Sequence, residues 1–183
     1  LHLHTTCSDG LFTPQQLVKK AYELNLKAIA ITDHDTVDGI LPAIIEANKY
    51  KDLEVIPGIE LSTHCNGQEV HILGYYIDYE NFHLKEQLLD LQQNRIKRLE
   101  KILTKLNDID IQIKYDDVYK YSRGTSVGRP HVALALVEKG YVSSIKEAFD
   151  KFLAKGRPAY VPRKKLTPID AIKLIKECRG IPV

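Results

Sequence analysis

Methionine is missing from this chain altogether, and cysteine is nearly so. The absence of any Met, even at the first position, leads us to expect a segment excised from a longer protein, cut inside a strand at both ends. The three cysteines, Cys7, Cys65 and Cys178, are odd in number and share no paired spacing. That argues against a disulfide scaffold, excludes a CxxC zinc knuckle and suits a reducing cytoplasm. No apolar run approaches the roughly 20 residues of a membrane span, and no signal peptide is legible. We therefore expect a cytoplasmic protein with no membrane role and no obligate protein partner. What is present suffices for a packed core: 44% of residues are apolar and 27% charged, against disorder. At 183 residues the chain suits one domain, or one domain with an insertion.

The net charge of +2 conceals a division. Residues 1–83 hold 5 Lys and Arg against 12 Asp and Glu, whereas residues 84–183 hold 21 against 12. Six of the seven histidines fall in the acidic part. An acidic, histidine-rich half can attract cations, and a basic half can attract phosphates. Ordinary variation in solvated surface charge also fits.

Strand and helix signals alternate over the first eighty residues. "LHLH" reads as a short strand. "TPQQLVKKAYELNL" reads as a helix with Thr13 as N-cap and Pro14 in its first turn. "KAIAITD" is a continuous apolar run, as in a strand buried on both faces. "TVDGILPAIIEANKY" reads as a helix from near Thr36, and "LEVIPGIEL" and "EVHILGYYID" as two further strands. Only "STHCNGQ" joins those two, too few residues for a crossover helix, so the pair is antiparallel or locally irregular. Residues 84–106 form a long amphipathic helix, and shorter helical pieces follow without convincing strand alternation to residue 158. "TPIDAIKLIKEC" repeats the Thr-Pro helix start, and "GIPV" reads as the opening of a buried strand. This predicts an α/β part, a parallel sheet or a barrel, over 1–83, a helical insertion over 84–158 and a return to the α/β part over 159–183.

Four stretches carry chemistry-bearing residues. His2 and His4 lie two apart in a strand, so their imidazoles share one face and can grip one ion; two surface histidines on an edge strand fit equally. Asp9 follows in "SDG", which is also an ordinary turn. Asp33, His34 and Asp35 end a buried strand, where catalytic groups of parallel α/β barrels gather; capping by Asp35 or Thr36 beside an exposed histidine is the alternative. Glu60 lies in an apolar strand, where an unpaired carboxylate is costly, unless it points outwards from an edge. His71 lies in another apolar strand, as a ligand or a hydrogen-bonded core residue. Imidazole and carboxylate without thiolate suit Mn, Fe or Zn better than Ca. Cys7 and Cys65 lie near these stretches and are read as packing residues.

"LHLHTTCSDG", "AITDHDTVDG", "PGIEL" and "VHILGY", in that order, resemble the polymerase and histidinol phosphatase (PHP) superfamily. The likeness is greatest to its small stand-alone nucleotide phosphoesterases, which include 5′-to-3′ exoribonucleases and nucleoside 3′,5′-bisphosphate phosphatases. "GRPH" at 128–131 and "AYVPR" at 159–163 resemble stretches of that branch. The resemblance implies a distorted (β/α)7 barrel, truncated here at its C-terminus, with a helical insertion that lids the site. It implies two or three divalent metals. His2, His4 and Glu60 would bind one, Asp9 and His34 a second, and Glu60 would bridge to a third that His71 helps hold. The resemblance also implies further ligands after Val183, so this segment is expected to lack part of its site.

The implied reaction is phosphoester hydrolysis on a phosphorylated nucleotide or short oligonucleotide. Closely spaced divalent ions lower the pKa of bound water, and the resulting hydroxide attacks phosphorus in line. Arg129 can offer a bidentate fork and His131 a donor to substrate phosphate; helix capping or a surface role fits both as well. Ser126 shares that loop. Arg163, Lys164 and Lys165 can meet a second phosphate or form a solvated basic turn, and Arg95 is a similar candidate. Histidinol phosphatase and the PHP module of a replicative polymerase, proofreading or structural, are the alternatives. "TTCSDG" and "TDHDTVDG" depart from the polymerase pattern. The intact ligand set argues against a metal-depleted binding module. "TDHDT" and the basic insertion favour phosphate esters over a generic α/β amidohydrolase.

Overall fold

A computed structural model describes residues 1–66, 68–121, 127–162 and 166–183. The chain divides into two compact units, Leu1–Leu91 with Lys165–Val183, and Gln92–Lys164. The first boundary falls within one long helix, whose side chains serve both cores.

The first unit is α/β. Helix α1 (Pro14–Glu23) starts as its sequence dictates: the Thr13 hydroxyl accepts from the Gln16 amide at 3.2 Å, and the Gln16 side chain accepts from the Thr13 amide at 2.9 Å. This reciprocal cap satisfies two backbone donors that a helix start otherwise leaves orphaned. Strand β1 (Ala28–Ile31) is nearly continuously buried and runs parallel to β2 (Glu54–Cys65), Ala28 facing Glu54 and Ile31 facing Pro57. Helix α2 (Ile40–Ala47) crosses between them. It begins four residues later than Thr36, because Thr36 closes a turn by accepting from the Asp38 amide.

Strand β3 (Gln68–Tyr75) returns antiparallel to β2. The link contains Asn66, at φ 49°, followed by Gly67, the dipeptide that suits a tight hairpin. Helix α7 (Pro168–Glu177), capped by Thr167, leads to β4 (Ile181–Pro182), antiparallel to β3. Ile181 and Val183 are exposed, so "GIPV" forms a strand here without being buried. "LHLH" makes one ladder bridge, Leu3 parallel to Ile31. The strand order is β1-β2-β3-β4. Among the described residues this is a mixed four-stranded sheet in an α/β fold, with β1 and β2 parallel and the other pairs antiparallel. Val18, Ile29, Ile31, Ile40, Ile59 and Ile175 fill its core, each burial stabilising by about 1.5–3 kcal/mol.

Helix α3 (Phe82–Asn107) places Leu84, Leu88 and Leu91 in that core and Leu99, Ile102 and Leu106 in the core of the second unit. The second unit adds α4 (Tyr115–Tyr119), α5 (Arg129–Glu138) and α6 (Ile145–Ala148). A π-helical turn over Phe149–Leu153 continues α6. No strand occurs among its described residues. Among the described residues no helix is long and apolar enough to cross a membrane.

Candidate metal centre

Five segments of the first unit deliver their side chains to one place. His2 and His4 flank Leu3, whose bridge to Ile31 sets that segment beside β1. His34 follows β1 and bridges in parallel to Glu60 of β2. On β3, His71 faces Ser62 while Leu73 faces Glu60, so His71 and Glu60 are diagonal neighbours on one face of the hairpin.

Glu60 is the hub. Its Oε2 lies 2.7 Å from His2 Nε2, 3.1 Å from His4 Nε2 and 3.5 Å from His34 Nδ1, and its Oε1 lies 2.7 Å from His71 Nδ1. Asp9 meets the far side, 3.4 Å from His4 Nδ1 and 3.6 Å from His34 Nε2. Only 5% of the Glu60 side chain is exposed, against 48% of His2 and 66% of Asp9. Glu60 therefore forms the floor and the other two the rim. Three overlapping triads result: His2, His4 and Glu60; His4, Asp9 and His34; His34, Glu60 and His71. Within each, the candidate ligand atoms lie within 4.8 Å of one another.

These residues fit divalent ions. His4 Nδ1 and His34 Nδ1 are buried without a hydrogen-bond partner, an expensive state for imidazole nitrogens that a cation would relieve. The donors are nitrogen and carboxylate oxygen, as transition metals prefer. Burial pushes the nearby Cys7 thiol up, which keeps it protonated and a poor ligand. Cys65 is exposed at the end of β2.

The electrostatics prepare the ligands. Burial pushes the Glu60 carboxyl up, but the hydrogen bond from His2, the charge of His34 and the hydrogen bond from His71 together outweigh it, and its pKa falls below the ordinary value. Burial lowers the His34 pKa despite the opposing pull of Glu60 and Asp9, favouring the neutral ring that binds metal. Both shifts mean that the unfolded chain takes up protons at higher pH than the folded one, so stability must fall on acidification. We expect the melting temperature of the metal-free protein to drop first below about pH 6.5, as His34 of the unfolded state titrates, and again near pH 4 with Glu60. A melting temperature flat from pH 7 to 4 would contradict this.

The other expected residues have different surroundings. In the second unit, Arg129 Nη1 donates to the Leu153 carbonyl at 3.0 Å, and its guanidinium carbon lies 5.4 Å from the Phe149 ring and 5.7 Å from the Tyr160 ring. His131 Nδ1 accepts from the Gly128 amide at 3.1 Å, the capping role, and burial lowers its pKa. Arg95 is buried within α3. Ser126, Arg163, Lys164 and Lys165 lie outside the described residues. Asp33 and Asp35, on either side of His34, join none of the triads.

Known proteins share this sequence pattern and this fold. The PHP domain family model matches residues 1–161. The chain is 38% identical over 181 residues to the 5′-3′ exoribonuclease Rnm of Escherichia coli, covering 98% of this chain and 62% of that protein. It is 28% identical over 184 residues to a 3′,5′-nucleoside bisphosphate phosphatase of Chromobacterium violaceum, covering 100% of this chain and 64% of that one. The chain thus spans about three-fifths of the length of these curated relatives. A solved structure of a candidate metal-dependent phosphoesterase from Bifidobacterium adolescentis superposes with a TM-score of 0.77 at 30% identity, covering 99% of this chain and 64% of that one. A C. violaceum amidohydrolase, solved with bound sulfate and no metal, gives 0.78 at 27%, with the same coverage. By sequence and by fold, the chain belongs to the PHP domain family.

Proposed function

We propose that this protein is a metal-dependent phosphoesterase acting on phosphorylated nucleotides, either nucleoside 3′,5′-bisphosphates or the 5′ ends of short RNA. One observation carries the reading: a buried carboxylate, Glu60, in contact with four imidazoles. Buried charges are paired or coordinate metals, and convergent titratable groups of this kind mark functional sites. The relatives named for exoribonuclease and bisphosphate phosphatase activity support the substrate class.

His2, His4, Asp9, His34, Glu60 and His71 would hold two or three divalent ions, Mn, Fe or Zn by their donor chemistry. Such ions supply Lewis acidity toward phosphoryl oxygens and a nucleophilic water at neutral pH. The chain's own part is geometric. Glu60 draws four rings to one floor, and neutral His34 keeps a lone pair available. The exposed edge formed by His2 and Asp9 leaves an approach for substrate. Arg129 is the proposed phosphate contact of the helical unit, its fork oriented by the Leu153 carbonyl and two aromatic rings. The sheet would form part of a distorted (β/α)7 barrel.

A phosphate-release screen with Mn²⁺ tests the reading. It compares a nucleoside 3′,5′-bisphosphate, AMP, histidinol phosphate and a short 5′-phosphorylated RNA. Release from the bisphosphate or the RNA is expected, and release from histidinol phosphate alone would replace the nucleotide assignment. His2→Ala combined with His4→Ala should abolish Mn²⁺-dependent release; undiminished turnover would remove the metal assignment.

A further inference from the structure

Residues 32–35, Thr-Asp-His-Asp, contribute one ligand, His34, yet their other three side chains make specific bonds. Thr32 grips the first ligand segment. Its amide donates to the Leu3 carbonyl at 2.9 Å, and its hydroxyl lies 3.1 Å from both the Leu3 amide and the Leu3 carbonyl. Leu3 is the residue between His2 and His4.

Asp33 grips the next segment. Its carboxylate is 1% exposed. It accepts from the Thr5 amide at 2.6 Å, the Thr5 hydroxyl at 2.7 Å and the Ser8 hydroxyl at 2.5 Å. All three donors lie between His4 and Asp9. A Cβ added at Gly39 would stand 2.5 Å from Asp33 Oδ2 and 2.9 Å from the Thr5 hydroxyl, so a glycine there gives the carboxylate its room.

Asp35 grips the third. It sits at φ 52°, a left-handed turn that Asp tolerates better than most residues. There its amide reaches the Glu60 carbonyl at 3.0 Å and its carboxylate the Ser62 amide at 2.8 Å. The Glu60 amide donates to the Asp33 carbonyl at 3.2 Å. Glu60 is thereby held on both its backbone groups by the residues flanking His34.

We propose that Thr32, Asp33 and Asp35 are positioning residues that clasp the segments carrying His2, His4, Asp9 and Glu60 around His34, setting the ligand geometry before any ion binds. This rests on the metal reading above. The physical reason is local rigidity: Asp9 comes from a loop, and a loop ligand stays in place only when its supports are locked.

Mn²⁺ titration followed by electron paramagnetic resonance of free ion tests the clasp. The wild-type chain should bind Mn²⁺; no binding would fail the metal reading itself. Asp33→Asn offers one acceptor oxygen where two are used, and the Kd of at least one bound ion should rise about tenfold or more. The visible absorption of the Co²⁺-substituted protein should shift with it. Ile175→Val, a core truncation in α7, should leave Kd unchanged. The proposal is overturned if Asp33→Asn binds as wild type, or if Ile175→Val weakens binding as much. Should Asp33→Asn fail to fold, Ser8→Ala deletes a single bond; a rise in Kd of about threefold supports the clasp, and an unchanged Kd overturns it.

Discussion

Replacing Glu60 by Gln is expected to lower Mn²⁺ affinity by about a hundredfold or more and phosphate release by about a thousandfold. The substitution preserves size, so packing against β3 should survive. What it removes is the charge on which four rings converge, at 2.7 to 3.5 Å. A neutral amide can bond one or two of those rings but cannot bridge cations. Isothermal titration with Mn²⁺, beside phosphate release and circular dichroism, would measure this. A folded Glu60→Gln protein with wild-type metal affinity would dislodge Glu60 from the centre of the site.

Gly10→Ala should be comparably severe by another route. A Cβ at residue 10 would stand 2.2 Å from the carbonyl oxygen of His4 and 2.4 Å from its carbonyl carbon. Both are backbone atoms, so no rotamer change relieves the contact. The loop must open, although the Gly10 amide donates to the Thr5 carbonyl at 2.9 Å to close it. We expect a stability loss of about 3 kcal/mol, the upper range for overpacking, with displacement of Asp9 and weaker Mn²⁺ binding. Chemical denaturation and the same titration would check both. A melting curve and Kd matching wild type would mean that this loop yields at no cost.

The contrast between these residues separates what a sequence displays from what it conceals. His2, His4, Asp9, His34, Glu60 and His71 were legible because their side chains are chemically conspicuous and lie at or near apolar strand runs. Helix α1 was legible because Thr13, Pro14 and Gln16 are local signals with local consequences. The β2–β3 hairpin was less so: Asn66 and Gly67 signal a tight turn, yet the length of the link alone left the pairing open. Asp33 was read with its neighbours as a possible catalytic group. Only its partners, Thr5 and Ser8, more than twenty positions away in the chain, identify it as a buried acceptor. His131 carried a similar ambiguity, and the structure adds to it a bond from the Gly128 amide to Nδ1, a capping contact.

By itself, then, the sequence determined the kinds of ligand available, the helix starts and the α/β alternation, since each depends on residue type and short-range spacing. Tertiary structure decided the rest. It gathered five segments at one floor, turned β3 back antiparallel to bring His71 beside Glu60, and joined Asp33 to Thr5 and Ser8 and Asp35 to the Ser62 amide. Those outcomes depend on which distant donors meet which acceptors once the core has closed. Spacing along the chain does not encode that, because hydrogen bonds and ion pairs form between neighbours in space.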